Sequence, residues 1–359
     1  MRPHVIWIVL TVTLFSCISQ EYKEKDHYPI TEVAASQDQW TGLTITRDNK
    51  IFVNYPRWSD YIPMSVGFLN EQGNPVPFPD SSWNEWSKGM SAERHFICVQ
   101  SVVVDDEGRL WVLDPANPQF GGVIQGGAKL VAFEPSTGKM LQRIVFDSTV
   151  VQPNSYLNDV RVDTEKGYAY ITDSNDGAIV VVNLSNGNSR RLLDEHYSTQ
   201  PELPLVINGQ PWLNAEGQPN LVASDGIALD RDNRFLYYHP LSGLSLYRID
   251  TRFLRDTGIS KAERKARVEF VARTVSSDGM ITGRDNAIYH SDVENNAIVR
   301  YNQDGSLQTI ARSEKIKWPD TFTMGPAGNL YFTTSQIHIR NSKQPYRIFK
   351  IDLPARENK

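Results

Sequence analysis

Six copies of one short pattern run along the chain, and this repeat limits the folds that it can adopt. Each copy has a polar or small residue, an apolar strand, a polar turn and a second strand, and the copy at 277–305 continues into a third strand and a turn that opens a fourth. A four-stranded antiparallel meander cannot bury both faces alone, so such units pack around an axis. The sequence therefore predicts an all-β fold, a six-bladed β-propeller of four-stranded antiparallel blades.

Each copy begins with a residue that we call the ring residue, because it lies just before the innermost strand of its blade. The six ring residues are Thr41, Gln100, Asn158, Asp225, Asp278 and Asp320. Strand-like segments at 28–33 and 346–353 flank the repeats, and propellers commonly close by pairing their termini within one blade. A single repeat type from residue 40 onward favours one propeller domain, residues 28–359.

The N-terminus has a different character. Arg2 precedes an apolar run at 5–15 that is too short to span a bilayer, which predicts a signal peptide at 1–17 followed by a polar tether at 18–27. Cys17 stands where a lipoprotein signal would be cleaved and acylated; simple secretion with cleavage nearby and, third, an uncleaved anchor are the alternatives. We therefore expect an exported protein, periplasmic or extracellular, that meets a membrane only through a lipid on Cys17.

Composition excludes one class of partner. The net charge of -5 and the isoelectric point near 5.8 provide no basic surface for nucleic acid, so we expect none as a partner. If Cys17 is removed or acylated, Cys98 is the remaining cysteine, and its apolar neighbours indicate a small buried hydrophobic residue. No exposed sticky strand edge is evident, so we expect a monomer.

The ring residues carry the most specific chemistry. Six residues distant in sequence converge at one end of the channel, and three of them are carboxylates, which repel one another unless a cation or a proton intervenes. Oxygen ligands suit a divalent cation such as Ca²⁺ or Mg²⁺, and the predicted ligands are Asn158, Asp225, Asp278 and Asp320. The alternative for each Asp is a turn residue that accepts hydrogen bonds from nearby backbone N–H groups.

A second tier of residues ends the second strands at the same mouth. It reads Asp114, Asp173, His239, Asp292 and Thr334. His239 interrupts a mostly acidic series, so it is a candidate base or ligand contact, with a hydrogen-bonded structural role as the alternative. The predicted ligand-binding set is Thr41, Gln100, Asp173, His239, Asp292 and Trp318.

Several longer stretches resemble one family. YAYITDS at 168–174, SDGIAL at 224–229, DVENNAI at 292–298 and WPDT at 318–321 all look like the major royal jelly protein/yellow family in its bacterial form. The resemblance implies an exported six-bladed propeller with a ligand site at the channel mouth. Insect members of that family include binders of small amines and proteins linked to pigment chemistry.

More distantly, the repeats resemble the gluconolactonase and regucalcin propellers. There a Glu, an Asn and an Asp on the ring bind a divalent metal that activates a lactone carbonyl and water. Asp278 matches the family's Asp, and Asn158 matches a ring Asn that contacts substrate. However, Asp225 stands where that family has its ligand Asn, and Thr41 stands where it has its ligand Glu. This departure removes one anionic ligand, which Asp320 could replace.

Three functions follow as hypotheses. The first is small-molecule binding at the channel mouth together with a divalent cation. The second is a metal-dependent lactonase or esterase in which Asp278 or Asp225 is the catalytic base. The third is a non-catalytic scaffold that binds a protein through loops of one face. The lack of a Glu at the position of Thr41 favours the first hypothesis over the second.

Overall fold

The computed structural model describes residues 27–340 and 342–354. The predicted signal peptide, nearly all of the predicted tether and the predicted lipid on Cys17 lie outside these residues. Export and monomeric state stay predictions. Within the described residues, none of the helices is both long and apolar enough to cross a membrane.

Six four-stranded antiparallel sheets confirm the predicted propeller class. Blade 1 contains Leu43–Ile45, Ile51–Asn54, Val66–Leu69 and Pro75–Pro77; blade 2 contains Ser101–Val104, Leu110–Asp114, Lys129–Phe133 and Met140–Val145; blade 3 contains Leu157–Asp163, Tyr168–Asp173, Ala178–Asn183 and Ser189–Leu192. Blade 4 contains Ser224–Leu229, Phe235–Pro240, Ser245–Asp250 and Glu269–Arg273; blade 5 contains Met280–Thr282, Ile288–Asp292, Ala297–Tyr301 and Leu307–Arg312. In each sheet the first strand lies innermost and pairs with the second.

Blade 6 combines the two ends of the described chain. Its strands are Pro319–Met324, Leu330–Thr334 and Tyr346–Ile351, and Ile30–Ser36 adds the outermost strand. This last strand pairs antiparallel with Tyr346–Ile351, from Ile30 opposite Ile351 to Ser36 opposite Tyr346. The predicted closure between the terminal segments is confirmed, and it ties the ring together by backbone hydrogen bonds.

Helical segments are short and lie outside the blades. They are Ser81–Asn84, Thr251–Arg255 and Lys261–Lys265, with 3-10 turns at Pro118–Phe120 and Tyr197–Thr199. The sequence predicted only the helix near 261–267, where Ser260 and Glu263 form a capping box. It missed Thr251–Arg255, which Asp250 caps, because five residues are too few to show a helical hydrophobic period. A two-stranded hairpin, Val206–Ile207 and Gln210–Pro211, projects from a long loop.

Apolar side chains fill the spaces between neighbouring blades. Phe52 and Val66 of blade 1 belong to the same buried cluster as Val112 and Phe133 of blade 2, and comparable clusters join blades 2 and 3 and blades 3 and 4. Because strand residues alternate between two faces and both faces of a blade meet a neighbour, the strands read as nearly continuous apolar runs. This packing leaves the innermost strands around a central channel.

The channel has two different ends. At one end, which we call the acid end, the innermost strands begin and the ring residues lie. At the opposite end these strands finish, around a cavity of about 400 Å³ that all six blades line. Among the residues there are Arg161, Arg231, Arg284, Asp105 and Asp230. The ring carboxylates therefore lie at the acid end, and charges of both signs lie at the other.

Candidate ligand site at the acid end of the channel

Three of the predicted ring carboxylates come together at the acid end. Asp225, Asp278 and Asp320 belong to blades 4, 5 and 6, and their exposed fractions are 3%, 7% and 4%. Asp225 and Asp278 are within hydrogen-bonding reach of each other, so a shared proton can join them. Oδ1 of Asp225 and Oδ2 of Asp320 are buried without a hydrogen-bond partner. These two oxygens are the atoms that a cation or a donor group would satisfy.

The pKa values of these carboxyl groups follow from their surroundings. Burial, and then the charges of Asp278, Asp159 and Asp320, hold the pKa of Asp225 well above its usual range. Burial and the nearby charge of Asp278 do the same to the pKa of Asp320. Burial also raises the pKa of Asp278 to about 7, against the opposing effect of the Trp318 indole N–H. The cluster therefore holds protons at neutral pH when no cation is bound.

Asp159 and Arg161, which were not predicted as site residues from the sequence, extend this cluster. Asp159 accepts a hydrogen bond from the Ser101 hydroxyl at 3.1 Å, and its Oδ2 lies 3.5 Å from Nη2 of Arg161. The same Nη2 donates to the Met280 carbonyl at 2.6 Å, so the Arg161 side chain crosses the channel from blade 3 to blade 5. One signal was visible in the repeats. Arg161 is charged where the equivalent positions of the other blades hold Thr, Val, Ala or Ile.

Glycine follows the ring residue in three blades, and the structure shows why. A Cβ on Gly279 would lie 1.6 Å from the Asp320 carbonyl oxygen, and one on Gly226 would lie 2.7 Å from the Asp278 carbonyl oxygen. Real Cβ atoms do not approach backbone oxygen this closely, so blades 4 and 5 need a residue without a side chain there to contact the next ring residue. The glycines thus determine how closely the carboxylates approach one another.

The remaining ring residues already have partners within the protein or lie beside the cluster. The Thr41 hydroxyl accepts from the Asn54 amide at 3.1 Å, and Oε1 of Gln100 accepts from the Tyr156 hydroxyl at 2.9 Å. Asn158 is buried immediately before Asp159. Gln100 therefore links blades 2 and 3, and the Thr41 hydroxyl also donates to the Gln100 carbonyl of blade 2 at 3.5 Å.

The second-tier acids are engaged in hydrogen bonds inside the protein. Asp173 is fully buried and pairs with Arg191 at 2.6 Å, and it also accepts from the backbone N–H of Tyr156 at 3.0 Å. Asp292 accepts from the Asn295 side chain at 2.9 Å, and burial raises its pKa to about 6. These contacts show that both carboxylates stabilise the fold through hydrogen bonds within the protein. Neither has an oxygen that lacks a partner in the way that Asp225 and Asp320 do.

Aromatic side chains cover one side of the acid end. The Trp318 indole N–H donates to Oδ2 of Asp278 at 2.5 Å, and the ring stacks on His338 and meets Trp212 edge-on at centroid distances of 5.7 and 4.8 Å. Trp318 has φ of 55°, a left-handed conformation that costs of order 1 kcal/mol or more in a non-glycine residue. Beside it lies a cleft of about 370 Å³ whose lining includes Trp212, Leu213, His338 and Arg340.

A second aromatic group belongs to blades 1 to 3. Phe120 is 59% exposed and stacks on the buried Tyr156 ring at 4.7 Å and on the Trp58 ring at 5.9 Å. The Trp58 indole N–H donates to the Tyr156 hydroxyl at 2.6 Å, and that hydroxyl reaches Gln100. Cys98 lies beside Tyr156, and burial raises its thiol pKa to about 12, so it is unreactive as predicted for a buried residue.

The donor atoms at the acid end suit a hard cation in their chemistry. Asp225, Asp278 and Asp320 supply carboxylate oxygens, two of them without partners, and Asn158 would add an amide oxygen. In residues 27–340 and 342–354, however, no three His, Cys, Asp or Glu side chains form a group that could hold a metal ion. A bound cation would therefore need Asn158 or a ligand molecule to complete its coordination.

The family assignment rests on a match to the model of the major royal jelly protein family over residues 97–349, more than half of the chain. The chain belongs to the major royal jelly protein/yellow family. It is 24% identical to protein yellow of Drosophila yakuba over 315 residues, covering 76% of this chain and 58% of that protein. It is 25% identical to major royal jelly protein 5 of Apis mellifera over 309 residues, covering 81% of this chain and 47% of that protein. These insect matches do not support the bacterial form expected from the sequence.

The chain spans about half the length of the curated relatives it matches. Among solved structures, it is similar to a regucalcin from Agrobacterium tumefaciens, with a TM-score of 0.56, 13% identity and coverage of 89% of this chain and 93% of that one. A gluconolactonase from Xanthomonas campestris has the same TM-score with 12% identity and coverage of 90% and 89%. At these identities the similarity shows the shared propeller fold alone.

Proposed function

We propose that the protein binds a small molecule through a cationic head group at the acid end of the channel. The observation that carries this proposal is the group of three buried ring carboxylates in which Oδ1 of Asp225 and Oδ2 of Asp320 lack partners. Buried polar atoms of a stable protein are normally hydrogen-bonded, and an unmade bond costs about 1–3 kcal/mol. An ammonium group would donate to these oxygens and favour their ionised form.

The surroundings of the carboxylates suit a ligand that also has a flat apolar part. The three acids are almost completely buried, so only a small head group can reach them. The rest of the ligand would contact the aromatic side chains that cover one side of the acid end. Trp212 and His338 line the adjacent cleft, and the buried Trp318 ring packs between these two rings and Asp278. Aromatic rings bind flat apolar groups and cations through their faces. The resemblance to a family with binders of small amines agrees with this chemistry.

A divalent cation such as Ca²⁺ or Mg²⁺ is the alternative occupant of the same oxygens. It would bind Asp225, Asp278 and Asp320 with Asn158 and would favour the ionised carboxylates. When bound, it would neutralise the acid cluster and supply Lewis-acid polarisation for the hydrolase hypothesis, with Asp278 or Asp225 as base. No contact in the structure favours hydrolysis or a protein scaffold over ligand binding, so binding is the function that we propose.

The proposal predicts a charge-dependent affinity, testable with 2-phenylethylamine and its uncharged analogue 2-phenylethanol. Isothermal titration calorimetry should show that the amine binds at least about tenfold more tightly, equivalent to about 1.4 kcal/mol. Asp278→Asn should weaken amine binding by about tenfold, because it removes the charge, and should change alcohol binding little. Trp212→Ala should weaken both ligands alike, because the aromatic surface does not distinguish them.

Asp48→Asn is the matched control, since it removes the same charge from an exposed turn of blade 1 away from the acid end. It should leave both affinities unchanged. Repeating the titrations after chelation, and then with added Ca²⁺, separates an organic cation from a metal. If Ca²⁺ binds stoichiometrically and the amine does not bind, the divalent cation is the occupant. Equal affinity for amine and alcohol would contradict recognition of a cationic head group.

A further inference from the structure

Two histidines buried between blades 4 and 5 have ring nitrogens that lack partners. His239 lies on Phe235–Pro240 and His290 on Ile288–Asp292; both side chains are fully buried, with ring centroids 6.2 Å apart and planes inclined by 70°. Both nitrogens of His290, and Nε2 of His239, have no hydrogen-bond partner. Each such atom costs about 1–3 kcal/mol if nothing satisfies it. Their concentration in one place therefore points to an occupant.

The hydrogen bond of His239 determines its tautomer. Its Nδ1 lies 2.6 Å from the Pro240 carbonyl oxygen, which can only accept, so Nδ1 carries the proton and Nε2 presents a lone pair. This is the arrangement that holds metal-binding histidines, in which the second ring nitrogen donates to a backbone carbonyl. His239 is therefore oriented to coordinate through Nε2.

Met280 brings a sulfur atom to the same interface. It lies directly opposite His290 in the antiparallel pair of blade 5, so their side chains share the face that meets blade 4. Its Sδ is 2.9 Å from the point where a Cβ of Gly226 would be, and Gly226 lies directly opposite His239 in blade 4. The thioether thus projects from the strand pair of His290 toward the strand pair of His239, and all three side chains lie at the interface of blades 4 and 5.

We propose that His239, His290 and Met280 bind a copper(I) ion between blades 4 and 5. Imidazole nitrogen suits copper, and a thioether ligand selects the soft copper(I) ion over Ca²⁺ or Mg²⁺. With a metal–nitrogen distance of about 2 Å, two imidazole rings on opposite sides of one ion have centroids about 6 Å apart. The site is separate from the proposed ligand site and uses none of its carboxyl groups.

The proposed ligand set differs from metal sites built from three or more acidic, histidine and cysteine side chains. No group of three or more such side chains within the described residues could hold a metal. Here the third ligand is a methionine, and the two histidines come from different blades. Their sequence separation of about fifty residues removes the close spacing that marks most metal motifs.

The test is anaerobic titration of the full metal-free chain with copper(I) in competition with bicinchoninate. We expect one copper ion per chain, a higher melting temperature, and an X-ray absorption spectrum with nitrogen and sulfur ligands. His290→Leu should abolish binding while leaving the metal-free protein equally or more stable, because it removes two unsatisfied nitrogens. Met280→Leu keeps the side-chain volume and should weaken binding at least tenfold.

His95→Leu is the control, since His95 is a partly exposed histidine that bonds the Ser91 carbonyl in a loop. It should bind copper as the wild type does. Failure of the wild-type chain to bind copper, or unchanged binding in Met280→Leu together with a spectrum that lacks sulfur, would overturn the proposal. If His290→Leu does not fold, copper titrations and absorption spectra of the wild type and Met280→Leu still test the proposal. Neither result depends on the amine titrations.

Discussion

Asp114→Ala should lower the free energy of unfolding by about 3–5 kcal/mol, because it leaves a buried lysine without its counter-ion. Asp114 and Lys129 are almost completely buried, with Oδ2 and Nζ 2.8 Å apart. The carboxylate also accepts from the backbone N–H groups of Ile97, Cys98 and Ala116 at 2.8–2.9 Å. After the substitution, the Lys129 ammonium would keep only the Gly127 carbonyl as a partner. Denaturant unfolding followed by circular dichroism measures this loss.

The double variant Asp114→Leu with Lys129→Met distinguishes the net stability of the ion pair from the cost of leaving one charge unpaired. Replacing both charges by apolar groups should recover a large part of the loss, since a buried ion pair and a packed apolar pair have similar net stability. Asp106→Ala, at an exposed carboxylate of the same blade, should change stability by less than about 0.5 kcal/mol. A loss below about 1 kcal/mol in Asp114→Ala would show that the pair is not desolvated as the structure indicates.

Gly279→Ala should cost about 1–3 kcal/mol of stability and also weaken ligand binding, because the added methyl meets a backbone atom. The new Cβ would lie 1.6 Å from the Asp320 carbonyl oxygen, so blades 5 and 6 must move apart. That movement displaces Asp278 and Asp320, whose side chains form part of the acid cluster. Thermal unfolding and the 2-phenylethylamine titration should both report the change.

Gly121→Ala is the matched control for this substitution. A Cβ there would meet one atom, the Pro118 carbonyl oxygen, at an ordinary contact distance of 3.4 Å. It should therefore alter stability little and leave amine binding as in the wild type. Normal binding by a Gly279→Ala protein that unfolds like the wild type would contradict the close approach of the two blades.

The blade pattern was accessible from sequence because it depends on short-range rules. Strand alternation and turn residues lie within a single copy of the repeat, so the copy at 277–305 could be interpreted by itself. Closure by the termini also followed, because both ends carry strand patterns and a propeller needs a paired last blade. The structure bears out both points, with Ile30–Ser36 completing blade 6.

The chemistry of individual side chains was less accessible, since partners separated in sequence determine it. Asp173 has the same residue type and a similar local pattern as the ring acids, but Arg191 and backbone N–H groups bind it. Asp225 has no such cation beside it, and its neighbours are other acids. Sequence alone could not distinguish the two carboxylates, because the distinction depends on which blade brings which group into contact.

The sequence by itself determined that this chain is a propeller, which residues begin each innermost strand, and that carboxylates gather at one end. The local hydrophobic period and the turn residues are sufficient to predict these three features. Only the tertiary structure decided that Arg161 crosses the channel, that the Trp318 indole bonds Asp278, and that His239 lies beside His290. These contacts join different blades, and their geometry exists only once the ring has closed.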